Sequence, residues 1–409
     1  MNNLLALTLS AFLALPLAAA EAAPFQLEPG NWNPAVRSQL ENLLGSHSWQ
    51  GKKVVLDFDN TLVSRDIGEA TFAQLLITDK IKRSAALAAI SPDFVNQGKL
   101  ISLTNVADLS EYYDQLASLD AHPADLEAAS NSYAWVVQAM MGLTPVEIIE
   151  ATRAAYGQNR AEQDRAQNKD SKLEITPGKT GYRVPFFNPE IVDLIGQLLK
   201  HGYDLYVVSG SNVWTVRHMV TVELMMRVNA KFGTHYQIPA DHVIGASVLL
   251  RDKRTGRLVK DAFLAKENER YAALDPVELG QYELTNQAVF PLTGFSGKVA
   301  NIIQYITGPV EKPFLVAGDS SGDFAMLQMA QYRLWFARLE KKGYQQALSH
   351  RIGKPEQATW MIQPVLTARQ PGLLKNQSHL KALSGIAGLK LQDLIESLEI
   401  WKERGMYRD

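Results

Sequence analysis

The stretch that decides the fold is residues 53–61, which read KVVLDFDNT. Its apolar, β-branched first half predicts a buried strand of a parallel sheet. Because side chains alternate along a strand, Asp57 and Asp59 point to the same side and Phe58 turns into the core. Two neighbouring carboxylates repel each other unless a cation neutralises them. The pattern therefore favours a metal site, and the alternative is a solvated turn after a strand.

Two further stretches repeat this pattern of an apolar run followed by polar residues and a helix. Residues 203–208 (YDLYVV) and 313–317 (PFLVA) predict strands that end at polar loops. Three such units predict an α/β fold with an open, Rossmann-like parallel sheet. We also predict helices over 65–90, 189–200, 212–231 and 298–306, strands at 242–250 and 257–260, and mainly helical structure over 70–180 and the last 40 residues.

The polar residues that follow the three strands point to one kind of chemistry. Ligands of open α/β sheets bind at the carboxyl ends of the strands. There the first acid pair would meet the hydroxyl and bare amides of 209–211 (SGS), the lysine of 297–298 (GK) and the acids of 318–323 (GDSSGD). Mg²⁺ binds oxygen ligands, a carboxylate can act as a nucleophile, and a second acid can move protons. The set predicts Mg²⁺-dependent phosphoryl transfer, although each cluster alone is also compatible with a solvated loop.

These elements, DxDxT, S, GK and GDxxxD, resemble the motifs of the haloacid dehalogenase-like superfamily, in its phosphatase branch and in the same chain order. The resemblance implies that Asp57 is the nucleophile and a metal ligand. It implies that Asp59 is the general acid and base, with its carbonyl oxygen on the metal. The other implied roles are a brace for the substrate loop (Thr61), phosphate binding (Ser209 and Gly210), pairing with nucleophile and phosphate (Lys298), and Mg²⁺ binding (Asp319 and Asp323).

The resemblance also implies how the chain is divided into domains. The α/β core would comprise residues 21–74 and 181–409, and a helical cap of residues 75–180 would be inserted between the first two core strands. In this superfamily, substrate choice is expected to depend on the cap. Asp66 lies where the similar phosphoserine phosphatases carry an acid that meets the substrate's amine, or else it is an ordinary acid at a helix N-terminus.

Aromatic residues of the predicted cap suggest a particular substrate. Tyr112 and Tyr113, with Tyr133 and Trp135, are either core residues or a cage that binds a quaternary ammonium group by cation–π attraction. An exported chain with a DxDNT motif, no cysteine and this cap resembles the secreted phosphorylcholine phosphatases of Gram-negative bacteria. The expected substrate is thus a small phosphate ester, phosphorylcholine first. Phosphoserine or another small phosphomonoester is the alternative, and a non-catalytic periplasmic binding protein is an alternative of another class.

The N-terminus and the composition predict the compartment and exclude several classes of protein. Residues 1–20 read as a signal peptide, with cleavage after Ala20 or Ala22, and a membrane anchor is the alternative. We therefore expect a periplasmic or secreted protein without stable membrane association after cleavage. The chain has 41 Lys and Arg against 43 Asp and Glu, so no net positive charge attracts nucleic acid. The absence of cysteine excludes disulfides, thiolate zinc sites and cysteine nucleophiles.

Overall fold

A computed structural model describes residues 24–46, 51–120, 131–157, 172–368, 371–387 and 390–409. The predicted signal peptide and its two cleavage sites lie outside these residues, so export stays a prediction. Among the described helices, none has the length and apolar character needed to cross a membrane.

The strands are short, and most of them follow a loop or a helix. In chain order they are β1 Lys53–Leu56, β2 Val63–Ser64, β3 Phe94–Asn96, β4 Lys99–Ile101, β5 Lys172–Glu174, β6 Gly181–Arg183, β7 Phe186–Phe187, β8 Asp204–Asn212, β9 Val243–Ala246, β10 Val248–Asp252, β11 Leu258–Val259, β12 Tyr282–Ala288, β13 Leu315–Gly318, β14 Tyr332–Arg338, β15 Trp360–Leu366 and β16 Gly372–Leu373.

The helices surround these strands, and two of them continue into π-helical turns at Met219–Leu224 and Ile303–Thr307. In chain order they are α1 Pro34–Gly45, α2 Ile67–Ile77, α3 Ala85–Ala88, α4 Leu109–Asp120, α5 Asn131–Ala139, α6 Pro145–Tyr156, α7 Pro189–Lys200, α8 Val213–His218, α9 Met225–Phe232, α10 Asp261–Glu267, α11 Glu269–Ala272, α12 Pro276–Leu279, α13 Ser296–Ile302, α14 Phe324–Met329, α15 Lys342–Arg351, α16 Gln377–Ala387 and α17 Leu391–Glu403.

Seven strands form the central sheet, in the order β16-β15-β14-β13-β1-β8-β9. The pairings are parallel except that of β15 with β16. Successive residues of β1 enter different hydrophobic clusters, since Val54 and Leu56 pack on one side of the sheet and Val55 on the other. Both faces of the sheet are thus covered, as parallel sheets require. The predicted α/β class with a Rossmann-like parallel sheet is confirmed.

Several predicted elements differ from the structure. The helix expected over 65–90 is interrupted after Ile77, because Asp79 has a positive φ of 53° that turns the chain away from helical geometry, and only the short helix α3 follows within that range. The strands β12, β14, β15 and β16 lie in stretches where we predicted none, and β16 interrupts the expected helical tail. Residues 203–208 extend as a strand through the SGS motif to Asn212, rather than ending before it.

The chain between β1 and β8 contains the region that we predicted to be a cap. It holds the helices α2 to α6 and two antiparallel hairpins, β3 with β4 and β5 with β6. The predicted helical character is therefore accompanied by strand pairs. The boundaries at residues 75 and 180 stay predictions, since no break in the packing tests them.

Candidate active site

The sheet order brings the predicted motifs to one edge. β1 lies between β13 and β8, so the residues that follow these three strands are neighbours. The backbone N–H of Asp57 donates to the carbonyl oxygen of Ala317 at 3.0 Å, which continues the β1–β13 pairing to the nucleophile position. Parallel strands end at the same edge of a sheet, which is the site of ligand binding in such folds.

Three buried carboxylates and one buried amine form the centre of the site. Asp57, Asp319 and Asp323 each offer one oxygen, and these oxygens lie within 4.8 Å of one another. The Lys298 Nζ donates to Asp57 Oδ1 at 2.6 Å and to Asp323 Oδ1 at 2.7 Å. The fold thus brings four of the predicted residues into one cluster, although the first and the last of them are more than 260 positions apart in the sequence.

The charges of this cluster favour a divalent cation. Burial and the neighbouring Asp323 raise the pKa of Asp57, and Lys298 lowers it. Burial would lower the pKa of Lys298, but Asp323 and Asp57 raise it, so the amine stays charged. The Lys298 ammonium and the Arg338 guanidinium, whose Nη1 donates to Asp319 Oδ2 at 2.9 Å, leave one negative charge of the three carboxylates uncompensated. Hard oxygen donors at this spacing are the kind that Mg²⁺ prefers. The residues present therefore fit a magnesium ion.

Thr61 contacts two of the three carboxylates. Its Oγ1 lies 3.2 Å from Asp319 Oδ1 and 3.4 Å from Asp57 Oδ2, and the side chain is buried. This contact agrees with a brace for the loop. Thr61 is not among the described residues that line the adjoining chamber.

Asp59 is not one of the three clustered carboxylates, and three donors fix its side chain. The Ile67 N–H donates to Oδ1 at 2.8 Å, while the hydroxyls of Ser211 and Ser209 donate to Oδ2 at 2.7 and 3.3 Å. Burial and then the charge of Asp66 raise the pKa of Asp59, which favours a carboxyl that holds a proton. Ser211, which makes the shortest of these hydrogen bonds, was not singled out from the sequence.

Two glycines allow these close contacts. A Cβ at Gly68 would lie 2.2 Å from Ser211 Oγ, so any side chain there would displace the serine. A Cβ at Gly210 would lie 3.0 Å from the ring of Tyr133, which packs against the SGS motif. Gly210 was predicted to bind phosphate through its amide, and the structure also gives it this role in admitting the tyrosine.

A chamber of about 430 Å³ opens beside the carboxylates, within the usual range of about 300–1,000 Å³ for small-molecule sites. Asp57, Asp59 and Lys298 line one part of it. The other described lining residues include Asp66, Glu69, Tyr113, Asp114, Tyr133, Gly210, Ser211, Asp319, Arg338, Lys341 and Tyr344.

The part of the chamber formed by α2, α4 and α5 combines acids with aromatic rings. Asp66 caps α2 by accepting from the Glu69 N–H at 2.9 Å, and it also faces the chamber. Glu69, on the next turn, has a raised pKa because of burial and of Asp66. Asp114 accepts from a buried tyrosine, and burial raises its pKa to about 6. The sequence singled out Asp66 and missed the two other acids.

The two predicted cap tyrosines occupy different positions. Tyr113 lines the chamber and stacks on Trp135, with the ring centroids 6.4 Å apart. Tyr112 is fully buried, its hydroxyl donates to the Pro92 carbonyl at 2.8 Å, and it is not among the described lining residues. Tyr112 is therefore a core residue, as one of the two interpretations of the cap aromatics expected. Tyr113 and Tyr133 face the space where a ligand would lie.

Arg338, at the end of β14, is a further residue that the sequence analysis did not single out. Its Nη1 donates to Asp319 Oδ2 at 2.9 Å. Its Nε is buried and has no hydrogen-bond partner among the residues that the structure describes. The sequence pattern could have indicated Arg338, because an apolar run that ends in a charged residue is the same pattern that marked Asp57.

Comparison with known proteins supports this description. A phosphorylcholine phosphatase of Pseudomonas aeruginosa is 27% identical over 319 residues, which covers 76% of this chain and 79% of that protein. The crystal structure of a functionally unknown protein from Anaerococcus prevotii covers 87% of this chain and 98% of its own, with 16% identity and a TM-score of 0.54. That likeness shows a shared fold. No protein-family model matches the chain.

The fold and the site together define the class of this protein. It is an enzyme similar to the haloacid dehalogenase-like phosphatases, with the sheet, the motif order and the buried acids that the resemblance implied. Within that class, the chain is similar over about three quarters of its length to the phosphorylcholine phosphatase of P. aeruginosa.

Proposed function

We propose that this chain is an exported, Mg²⁺-dependent phosphomonoesterase that acts through an aspartyl-phosphate, with phosphorylcholine as its substrate. The observation that carries the proposal is the buried cluster of Asp57, Asp319 and Asp323 with Lys298 between them. Its position beside a chamber lined by acids and tyrosines supports a substrate that carries both a phosphate and a cation.

The first step transfers the phosphoryl group to the enzyme. An oxygen of Asp57 attacks phosphorus, the bond between phosphorus and the alcohol oxygen breaks, and Asp59 gives its proton to that oxygen. In the second step Asp59 takes a proton from water, the water oxygen attacks phosphorus, and the bond to Asp57 breaks to release orthophosphate. Lys298 offsets charge on the phosphoryl oxygens. Mg²⁺, held by Asp57, Asp319 and Asp323, would supply further positive charge there.

The cationic end of phosphorylcholine suits the acidic part of the chamber. A quaternary ammonium group has no N–H to donate, so it is recognised by negative charge and by the faces of aromatic rings. Asp66, Glu69 and Asp114 supply the charge, and Tyr113 and Tyr133 supply the rings. Phosphoserine is the second candidate substrate, because Arg338 and Lys341 line the same chamber and could bind a carboxylate.

A panel of substrates tests the proposal. We expect phosphorylcholine to have a higher kcat/KM than phosphoserine, with Mg²⁺ required for both. Asp57→Asn should abolish turnover, whereas Asp79→Asn, in the exposed turn after α2, should leave it intact. Hydrolysis retained in Asp57→Asn would refute the mechanism. A preference for phosphoserine would refute the choline assignment alone, and export would be tested separately by fractionation of cells that express the full chain.

A further inference from the structure

A second cavity of about 400 Å³ adjoins the chamber. We call it the basic lobe, because four cationic side chains line it. The two cavities share Asn60, Asp66, Glu69 and Arg338 as lining residues, so they meet at these positions. The remaining residues of the basic lobe are Arg65, Lys172, Gly181, Tyr182, Arg183 and Thr367. The proposed mechanism uses none of these six residues.

Arg65 is built into the wall of the lobe rather than free on the surface. Its backbone has a φ of 76°, a left-handed conformation that is uncommon for an arginine. Asn60 holds it there, since the Arg65 N–H donates to Asn60 Oδ1 at 3.0 Å. The guanidinium is buried and its Nη1 donates to the Val184 carbonyl at 3.0 Å. Strain that the surroundings maintain in this way is characteristic of functional sites.

Lys172 and Arg183 add a second feature that points to a ligand. They are directly opposite each other in the antiparallel pair of β5 and β6. Directly opposed residues of a hairpin lie on the same face of it, so these two cationic side chains are neighbours. Both side chains line the basic lobe, so an anion in the lobe would meet both charges.

Arg338, at the boundary with the chamber, adds to the positive charge of the lobe. Arg338 contacts Asp319 through Nη1, and its buried Nε has no hydrogen-bond partner among the described residues. The lobe also contains two acids, Asp66 and Glu69. Four cationic side chains therefore outnumber the two acids in the lining of the lobe.

We propose that the basic lobe binds a small oxyanion and receives the orthophosphate that the catalytic reaction releases. The inference rests on the proposed phosphatase function, which generates this anion at Asp57. The connection through Arg338 gives the departing phosphate a cationic surface next to the site where it forms. A carboxylate on the substrate has the same chemistry and is the other source that the experiment must distinguish.

The first experiment measures inhibition by orthophosphate. With phosphorylcholine as substrate, we expect mixed inhibition: a competitive component from the chamber and a second component from the lobe. Replacing both Lys172 and Arg183 by Gln should weaken the second component roughly tenfold or more, since charge-assisted hydrogen bonds are lost. Lys179→Gln, an exposed change in the turn of the same hairpin, should not alter it. Purely competitive inhibition in the parent would overturn the proposal. So would a second inhibition component that is equally strong in the double variant and in Lys179→Gln.

The second experiment identifies the source of the anion. Phosphoserine and phosphoethanolamine differ by one carboxylate, so we compare their kcat/KM ratio in the parent and in the double variant. An unchanged ratio with weaker orthophosphate inhibition supports the released product. A reduced ratio with unchanged inhibition overturns the product assignment and places a substrate carboxylate in the lobe.

The lobe can also be tested apart from the catalytic function. If no ester is hydrolysed, the proposed function fails. Calorimetric titration of orthophosphate into the parent and the two single variants then decides the lobe alone. Equal affinity in the parent and in Arg183→Gln and Lys172→Gln would exclude an anion site there.

Discussion

Lys298 offers the most direct test of the charge balance in the site. The change Lys298→Met removes the ammonium group that bridges two buried carboxylates at 2.6 and 2.7 Å while keeping a side chain of similar shape. Removing one partner from a buried ion pair costs about 3–5 kcal/mol, because the other charge is left buried without compensation. We expect a loss of this size in the free energy of unfolding at pH 7 without metal.

Magnesium should restore much of this loss. A ligand that binds only the folded state stabilises it by about 2.7 kcal/mol at 100 times its Kd, and Mg²⁺ would replace the missing positive charge. Chemical denaturation with and without Mg²⁺ measures both effects. Lys80→Met is the matched control, because Lys80 forms an ion pair of the same 2.7 Å length on the surface, and such pairs contribute little.

Two results would refute this reasoning. If Lys298→Met unfolds at the same denaturant concentration as Lys80→Met, the buried carboxylates do not depend on the lysine for compensation. If Mg²⁺ stabilises the parent but not Lys298→Met, the ion does not occupy the cluster of acids that the lysine bridges.

Further predictions concern proton transfer, substrate charge and buried histidine. Ser211→Ala removes a hydrogen bond that fixes Asp59, so kcat should fall roughly tenfold or more for alkyl phosphates, which need general acid catalysis. For p-nitrophenyl phosphate, whose leaving group does not need a proton, kcat should fall little. Because the pKa of Asp114 is about 6, the KM of phosphorylcholine relative to p-nitrophenyl phosphate should fall as pH rises through 6, and Asp114→Asn should remove this dependence. Burial lowers the pKa of His218 to about 4, so the folded state binds fewer protons than the unfolded state between pH 6.5 and 4. About 3 kcal/mol of stability should be lost as pH falls through that window, and urea titrations should show a smaller loss in His218→Phe but not in His235→Phe, which changes an exposed histidine.

The centre of the site could be predicted from the sequence because the ends of buried strands can be recognised from the pattern of apolar and polar residues. Asp57 and Asp319 each follow an apolar run that can only be a buried strand, and the parallel arrangement then places them together. Lys298 was recognisable through its place in the motif order. The resemblance supplied the individual roles, which the residue pattern alone left open.

The remaining site residues depend on packing that no local pattern encodes. Glu69 faces the chamber because it lies one turn after Asp66 on α2, and Asp114 because α4 packs nearby. Arg338 differs from these two acids, because it ends an apolar strand, Tyr332–Arg338, that we did not predict. Tyr112 and Tyr113 are adjacent in sequence, and only the orientation of α4 decides that one is core and the other faces the chamber.

The central position of β1 has a consequence for how the enzyme becomes active. The nucleophile and its lysine are 241 residues apart, and the strands on either side of β1 come from later parts of the chain. Contacts over such separations form late, after long loops have closed. A ribosome must therefore release well over half of the polypeptide before Asp57 can meet its counter-charge. Partial chains lacking β13 would carry the nucleophile yet have no means of using it.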